Sequence, residues 1–155
     1  MKTKLALALA LLCVCMFSGS TGAFGQKLYP VSGPATTVTP PSVIAVKFGF
    51  GIRSGKISLV LANGESFQGS WKSVTASAIN PKSPGTPTSY PPQPNLSFAW
   101  DAVYGTGDFA AHRLGGILAQ AILTGSQGTV LQVEFRNPWG VTVDNRGNIY
   151  KMVWK

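Results

Sequence analysis

Lys56-Ile57-Ser58-Leu59-Val60-Leu61-Ala62-Asn63-Gly64-Glu65-Ser66-Phe67-Gln68-Gly69-Ser70-Trp71 is the stretch that decides the fold. Ile57, Leu59 and Leu61 fall at every second position, the period of a strand with one buried face. Asn63-Gly64 then interrupts the run, and Asn-Gly between two strand-like segments predicts a type I′ hairpin turn with positive φ at both central residues. The segment from Ser66 to Val74 should therefore return as the partner strand, carrying Phe67 and Trp71 on its inner face.

Working outward, Val43 to Phe50 places Ile44, Val46, Phe48 and Phe50 on one side and Lys47 and Gly49 on the other, a half-buried antiparallel strand. Gly51 to Gly55 turns it into the Lys56 strand. Towards the C-terminus, Ile117 to Thr124 and Thr129 to Arg136 flank Gly125-Ser126-Gln127-Gly128, with Leu131, Val133 and Phe135 inward and Val130, Gln132 and Glu134 outward. Val141 to Val143 and Asn148 to Trp154 flank Asp144-Asn145-Arg146-Gly147. Tight polar turns ending in Gly64, Gly128 and Gly147 recur along the chain, although the residues between them are too dissimilar for a sequence repeat. About seven strands result. The fold class is mainly β, and such a meander hides its edges best as a small antiparallel barrel or a two-layer sandwich.

The interruptions are equally informative. Six prolines at positions 81, 84, 87, 91, 92 and 94 remove backbone donors and predict a long Pro-rich loop over 78–95. Leu96 to Tyr104 and Asp108 to Leu114 each predict a short helix, the second capped by Asp108 and stopped by Gly115-Gly116. The Pro, Ser and Thr-rich stretch over 26–41 predicts a flexible lead-in, with a single β-rich domain over 42–155.

Residues 1–25 have the grammar of a signal peptide: Lys2 and Lys4, the apolar run Leu5 to Phe17, then the small residues from Ser18 to Gly25. The address this predicts is periplasmic or extracellular. Lipid anchoring is not expected, because Leu12 precedes Cys13 and Val14 precedes Cys15 where a small residue would be needed. Both cysteines lie in this leader, so beyond it the chain has no disulfide, thiolate metal site or cysteine nucleophile. No later apolar run approaches the ~20 residues of a membrane helix.

Beyond residue 25 the chain carries 11 Lys and Arg against five acids, a balance of +6. The basic residues are spread singly along the sequence, which predicts solubilising charge rather than a nucleic-acid site. His112 is the sole histidine, so a multi-histidine metal site is excluded, and the inventory calls for no cofactor. Ser54-Gly55-Lys56 lacks the upstream glycine and the following Ser or Thr of a phosphate loop, and no G-x-S-x-G elbow occurs. Glu65, Glu134 and Asp144 read as solvated or turn-capping acids. Asp101, Asp108 and His112 are the residues for a catalytic reading, since Asp108 and His112 stand one helical turn apart and a His with an orienting Asp makes a general base. The bland alternative is an N-cap beside a surface histidine. Trp100 and Trp139, with Arg113, carry a binding reading, because exposed aromatics on a β platform stack on sugars. Core packing is the bland alternative there.

Leu123-Thr124-Gly125-Ser126-Gln127-Gly128-Thr129-Val130-Leu131-Gln132-Val133-Glu134-Phe135 and Gly140-Val141-Thr142-Val143-Asp144-Asn145-Arg146-Gly147-Asn148-Ile149-Tyr150-Lys151, together with the Ile57 to Trp71 run, resemble a loose group of small exported bacterial proteins of unknown function built on Gly-turn hairpins. The resemblance covers about half of the chain beyond the leader and its motifs are hairpin grammar. It implies a compact β protein of the cell envelope and supplies no functional residues. Some members carry a cysteine pair where this chain has Val133 and Thr142. The resulting expectation is a non-enzymatic envelope protein acting by binding or by structural association, with an envelope glycan or another envelope protein as its partner. A glycan- or polyanion-binding module and a small hydrolase stand as alternatives.

Overall fold

The computed structural model of the chain describes residues 25–49, 51–74, 96–107 and 118–154. Eight antiparallel strands run in chain order: β1 (Gly25–Ser32), β2 (Ile44–Phe48), β3 (Ser54–Val60), β4 (Ser66–Val74), β5 (Leu118–Thr124), β6 (Val130–Arg136), β7 (Trp139–Asp144) and β8 (Ile149–Val153). Each pairs with its neighbour, and β8 pairs with β1 to close a barrel. A 3₁₀ turn (Pro34–Thr37) follows β1, and among the described residues one helix, α1 (Leu96–Tyr104), lies between β4 and β5 in sequence. The mainly β class, the barrel alternative and the Leu96 to Tyr104 helix agree with the sequence reading; the strand count rises from about seven to eight. The second helix expected at Asp108 to Leu114 and the Pro-rich loop at 78–95 lie outside the described residues. No helix among the described residues is long and apolar enough to cross a membrane.

The extra strand corrects the flexible lead-in expected over 26–41. Antiparallel closure all the way round requires an even number of strands, and β1 supplies the eighth. Leu28 pairs with Ile44 on one side and with Met152 on the other, and all three are buried. Pro30 had argued against a strand, yet it sits where the β1–β8 register shifts, between Pro30 and Ser32. An irregularity of this kind is where a ladder tolerates proline.

Inward apolar residues of seven strands, joined by Thr142 of β7, fill the interior, as an eight-stranded barrel allows. Leu28, Val46, Ile57, Leu59, Phe67, Leu123, Leu131, Val133 and Met152 form its middle. One end is plugged by aromatics: Phe135 meets the edge of Phe48 at 4.9 Å and of Trp71 at 5.7 Å, and lies 5.8 Å from Trp154. Val133 and Thr142 are register partners across β6 and β7. Thr142 is fully buried, and its Oγ1 finds no hydrogen-bond partner among the described residues. Thr142→Val keeps the shape and removes the stranded hydroxyl, so it is expected to stabilise the fold by about 1–2 kcal/mol, read as a raised urea midpoint at unchanged slope.

Outside the barrel, α1 covers the outer faces of β7 and β8, packing Ala99 and Trp100 against Val141, Val143 and Ile149. These strands are therefore buried on both sides, and Ile149-Tyr150-Lys151-Met152-Val153 reads apolar almost throughout.

Candidate functional site: the hairpin end of the barrel

The β3–β4, β5–β6 and β7–β8 turns emerge at the end opposite the aromatic plug, and all three have one construction. In Leu61 to Glu65, Gly125 to Thr129 and Asp144 to Asn148, the first amide donates to the fifth carbonyl and the fourth amide donates back to the first carbonyl, at 2.7–3.2 Å. Gly64, Gly128 and Gly147 have φ of 83°, 86° and 86°, and no non-glycine among the described residues has positive φ. This is the three-residue loop with a type I turn and a glycine bulge. It corrects the type I′ turn expected at Asn63-Gly64: the glycine alone enters the left-handed region.

Neighbouring turns are stitched together by a repeated device. The Ser126 amide donates to the Ser66 carbonyl at 3.0 Å, while the Ser66 amide donates to Ser126 Oγ at 3.2 Å. One hairpin later, the Asn145 amide donates to the Val130 carbonyl and the Val130 amide to Asn145 Oδ1, both at 3.1 Å. Each loop thus adds one unit of ladder to the hairpin before it.

The residue after each turn glycine is Glu65, Thr129 or Asn148, and all three are buried. Glu65 is 0% exposed, which corrects its reading as a solvated turn acid. Its Oε1 accepts from the Gln127 amide at 3.0 Å and the Thr129 amide at 2.9 Å; its Oε2 accepts from Thr129 Oγ1 at 2.5 Å and from Arg146 Nη2 at 3.5 Å. Burial alone would push the carboxyl pKa up, but the Thr129 hydroxyl and amide, the Gln127 amide and the Arg146 charge outweigh it and hold the group below its ordinary value. Gly125 must lack a side chain, because a Cβ there would strike Glu65 Oε1 and the Phe67 ring.

Asp144, read from sequence as a solvated or turn-capping acid, caps its own turn and is buried there. Its Oδ1 accepts from the Arg146 amide at 2.9 Å and the Asn148 amide at 2.8 Å; its Oδ2 accepts from Asn148 Nδ2 at 2.7 Å and from the Tyr150 hydroxyl at 3.3 Å. Burial and the adjacent Asp144 charge push the Tyr150 phenol far above its ordinary range, so Tyr150 is a permanent donor here. Asn148 Oδ1 in turn accepts from the Ala35 amide at 2.6 Å, tying down the β1–β2 connection.

Between that connection and the turns lies a cavity of about 350 Å³. Pro34, Ala35, Val38 and Ile44 form one wall, Leu61, Ala62 and Asn63 another, and Asp144, Arg146, Asn148 and Tyr150 the polar side. Arg146 is the notable group. Its side chain is 50% exposed and only loosely tied to Glu65, whereas the Asp144 carboxylate is saturated by four donors. The site therefore offers apolar walls and a cation at the rim, the arrangement that suits a small amphiphile.

The residues singled out from sequence lie elsewhere. Trp100 is 0% exposed under α1 and donates from Nε1 to Glu134 Oε1 at 2.8 Å, which corrects its reading as an exposed platform. Glu134 does face outward, as expected, but the helix buries it; Gln120 Nε2 donates to its Oε2 at 2.6 Å. Trp139 is 42% exposed and meets the edge of Tyr104 at 5.3 Å. Asp101 Oδ1 accepts from the Gly107 amide at 3.1 Å, a local cap of the helix end. Asp108, His112 and Arg113 lie outside the described residues. None of the described members of either set reaches the hairpin end. What could have revealed the site in the sequence is the thrice-repeated Gly followed by a hydrogen-bonding residue: Gly64-Glu65, Gly128-Thr129 and Gly147-Asn148. Comparison of the chain with protein-family models, with curated proteins and with solved structures gives no match.

Proposed function

We propose that the chain is an exported, non-enzymatic barrel protein of the bacterial cell envelope that acts by binding, and that the hairpin-end cavity is its binding site. The observation that carries this reading is the cavity itself. The barrel interior is occupied by its own side chains, the far end is plugged, and at this end apolar walls meet a half-exposed arginine. The ligand that fits is a small, mainly apolar molecule with an anionic end directed to Arg146. Export is supported by the leader-like residues 1–25.

Medium-chain fatty acids and the matching alcohols test this reading, with thermal shift and calorimetric titration as readouts. The acids are expected to raise the unfolding temperature and the alcohols to bind about tenfold more weakly, the worth of one charge-assisted contact. Ala62→Trp, which fills the cavity from the turn, should abolish binding at unchanged stability. Absence of binding by the whole series, or equal binding by the Ala62→Trp protein, would overturn the assignment.

A further inference from the structure

The basic residues that look scattered in the sequence are not scattered on the barrel. Lys47 on β2 pairs with Ser58 on β3, which pairs with Gln68 on β4. One row along, Lys56 pairs with Ser70, and in the next row Ser54 pairs with Lys72. The residues alternating with them, Val46, Phe48, Ile57, Leu59, Phe67 and Trp71, are buried in the core, so all three lysines stand on the outer face, where each is exposed. From Lys47 to Lys56 to Lys72 each step is one strand across and two residues along. With strands ~4.8 Å apart and a rise of ~3.4 Å per residue, the step is about 8 Å.

The diagonal crosses a surface that is hollowed where a barrel should be convex. Two adjoining depressions of about 300 and 530 Å³ share Ser58 and Gln68, with Lys47 on the edge of one and Lys56 on the edge of the other. Small side chains at Ala45, Ser58 and Ser66 leave this trough. Of the four acids among the described residues, Glu65 and Asp144 are at the hairpin end, Glu134 is under the helix and Asp101 is on it. Glu134 shares the register row of Lys72, two strands away with Gln120 between them, but is buried there, and no described carboxylate stands on the outer face of β2, β3 or β4.

We propose that the outer face of β2, β3 and β4 is a docking surface for a linear acidic polysaccharide, its carboxylates on Lys47, Lys56 and Lys72 and its hydroxyls on Ser58, Gln68 and Ser70. Charge complementarity selects an anion, and the diagonal spacing selects a chain over a single ion. The one aromatic residue of the trough, Phe67, is buried in the core and offers bases no exposed ring to stack on, which disfavours single-stranded nucleic acid. They also present no large exposed apolar side chains for insertion into a lipid surface, Val60 apart. This surface is independent of the cavity and stands whether or not the cavity binds a ligand.

Binding of alginate and polygalacturonate oligomers to the full chain is measured by calorimetry and by salt titration, with neutral dextran, single-stranded oligonucleotide and anionic phospholipid vesicles as parallel arms. The acidic oligomers are expected to bind with an affinity that falls steeply with salt, and the triple variant Lys47→Gln/Lys56→Gln/Lys72→Gln to lose at least tenfold. The Lys→Arg triple variant and Lys151→Gln, a change off this face, should retain binding. Circular dichroism and the thermal midpoint confirm that each variant is folded. Equal affinity of the Gln triple variant, equal affinity for dextran, or tighter binding of the oligonucleotide or the vesicles than of the acidic oligomers would overturn the proposal.

Discussion

Glu65→Ala is expected to destabilise the barrel by about 3–5 kcal/mol, far more than a turn residue ordinarily would. The substitution removes one carboxylate and takes the acceptor from the buried Thr129 amide and hydroxyl and from the part-buried Gln127 amide. It also releases Arg146, so the β3–β4 turn loses its side-chain hold on the β5–β6 and β7–β8 turns together. Urea unfolding gives the magnitude. Hydrogen exchange gives the location: the Gln127 and Thr129 amides should lose protection before those of the aromatic-plug end. Glu65→Gln keeps an acceptor for both amides and should cost less, about 1–3 kcal/mol.

The same residue predicts an acid limb. Because the folded-state pKa of Glu65 lies below its ordinary value of 4.5, its contribution is fully present above about pH 4.5 and is lost as pH falls through the lower folded value. Stability against pH should fall on that acid side in the native protein and fall less steeply in Glu65→Gln. Parallel acid limbs would mean that Glu65 titrates no differently in the folded and unfolded chains.

Trp100→Ala is the second large effect, about 3–5 kcal/mol. The indole is the deepest side chain of α1, and its loss opens a void against Val141, Val143 and Ile149. It also removes the indole N–H that donates to Glu134 Oε1. With its anchor gone the helix should leave the barrel, and a hydrophobic dye should then bind the outer faces of β7 and β8. Trp100→Phe separates the two terms: it keeps most of the apolar contact and loses only the N–H, so it should cost about 1–3 kcal/mol without dye binding. Tyr104 supports the same helix through its hydroxyl, which accepts from the Gly140 amide at 3.0 Å and donates to the Gly140 carbonyl at 3.1 Å, and through its ring under Lys151. If Trp100→Ala unfolds with the native midpoint, the helix is not held by that side chain.

How far the sequence discloses this molecule depends on the range of the interaction concerned. Alternation and turn glycines are local, and Ile57, Leu59, Phe67, Trp71, Leu131, Val133 and Phe135 all point where their period puts them. Helix α1 is local too, and its span follows from Leu96 to Tyr104. Strand β1 was not legible, because Pro30 weighs against pairing unless the bulge beside β8 is known, and that bulge lies more than a hundred residues away in the chain. Which face a helix covers is likewise non-local. Trp100 reads as either an exposed platform or a packed side chain and Glu134 as an outward residue, and their meeting under the helix is what buries both. The burial of Glu65 was not legible for a related reason: a turn acid is solvated unless other turns crowd it, and its partners Gln127, Thr129 and Arg146 are 60 and more residues distant. The lysine diagonal belongs with these, since residues spaced unevenly at 47, 56 and 72 become evenly spaced only through strand register.

Lys27 faces Val153 and Leu28 faces Met152, so the first strand uses the last as its template. A chain still under synthesis can lay down β2 to β7 hairpin by hairpin, yet the ring shuts only when β8 has emerged. Until that moment two strand edges stand open to any other chain with a free edge, and closure must then search across almost the whole contour length. The barrel is in effect a clasp whose two halves are made at opposite ends of the manufacturing run. Crowding of unfinished copies, rather than weakness of the finished one, is where its yield would be lost.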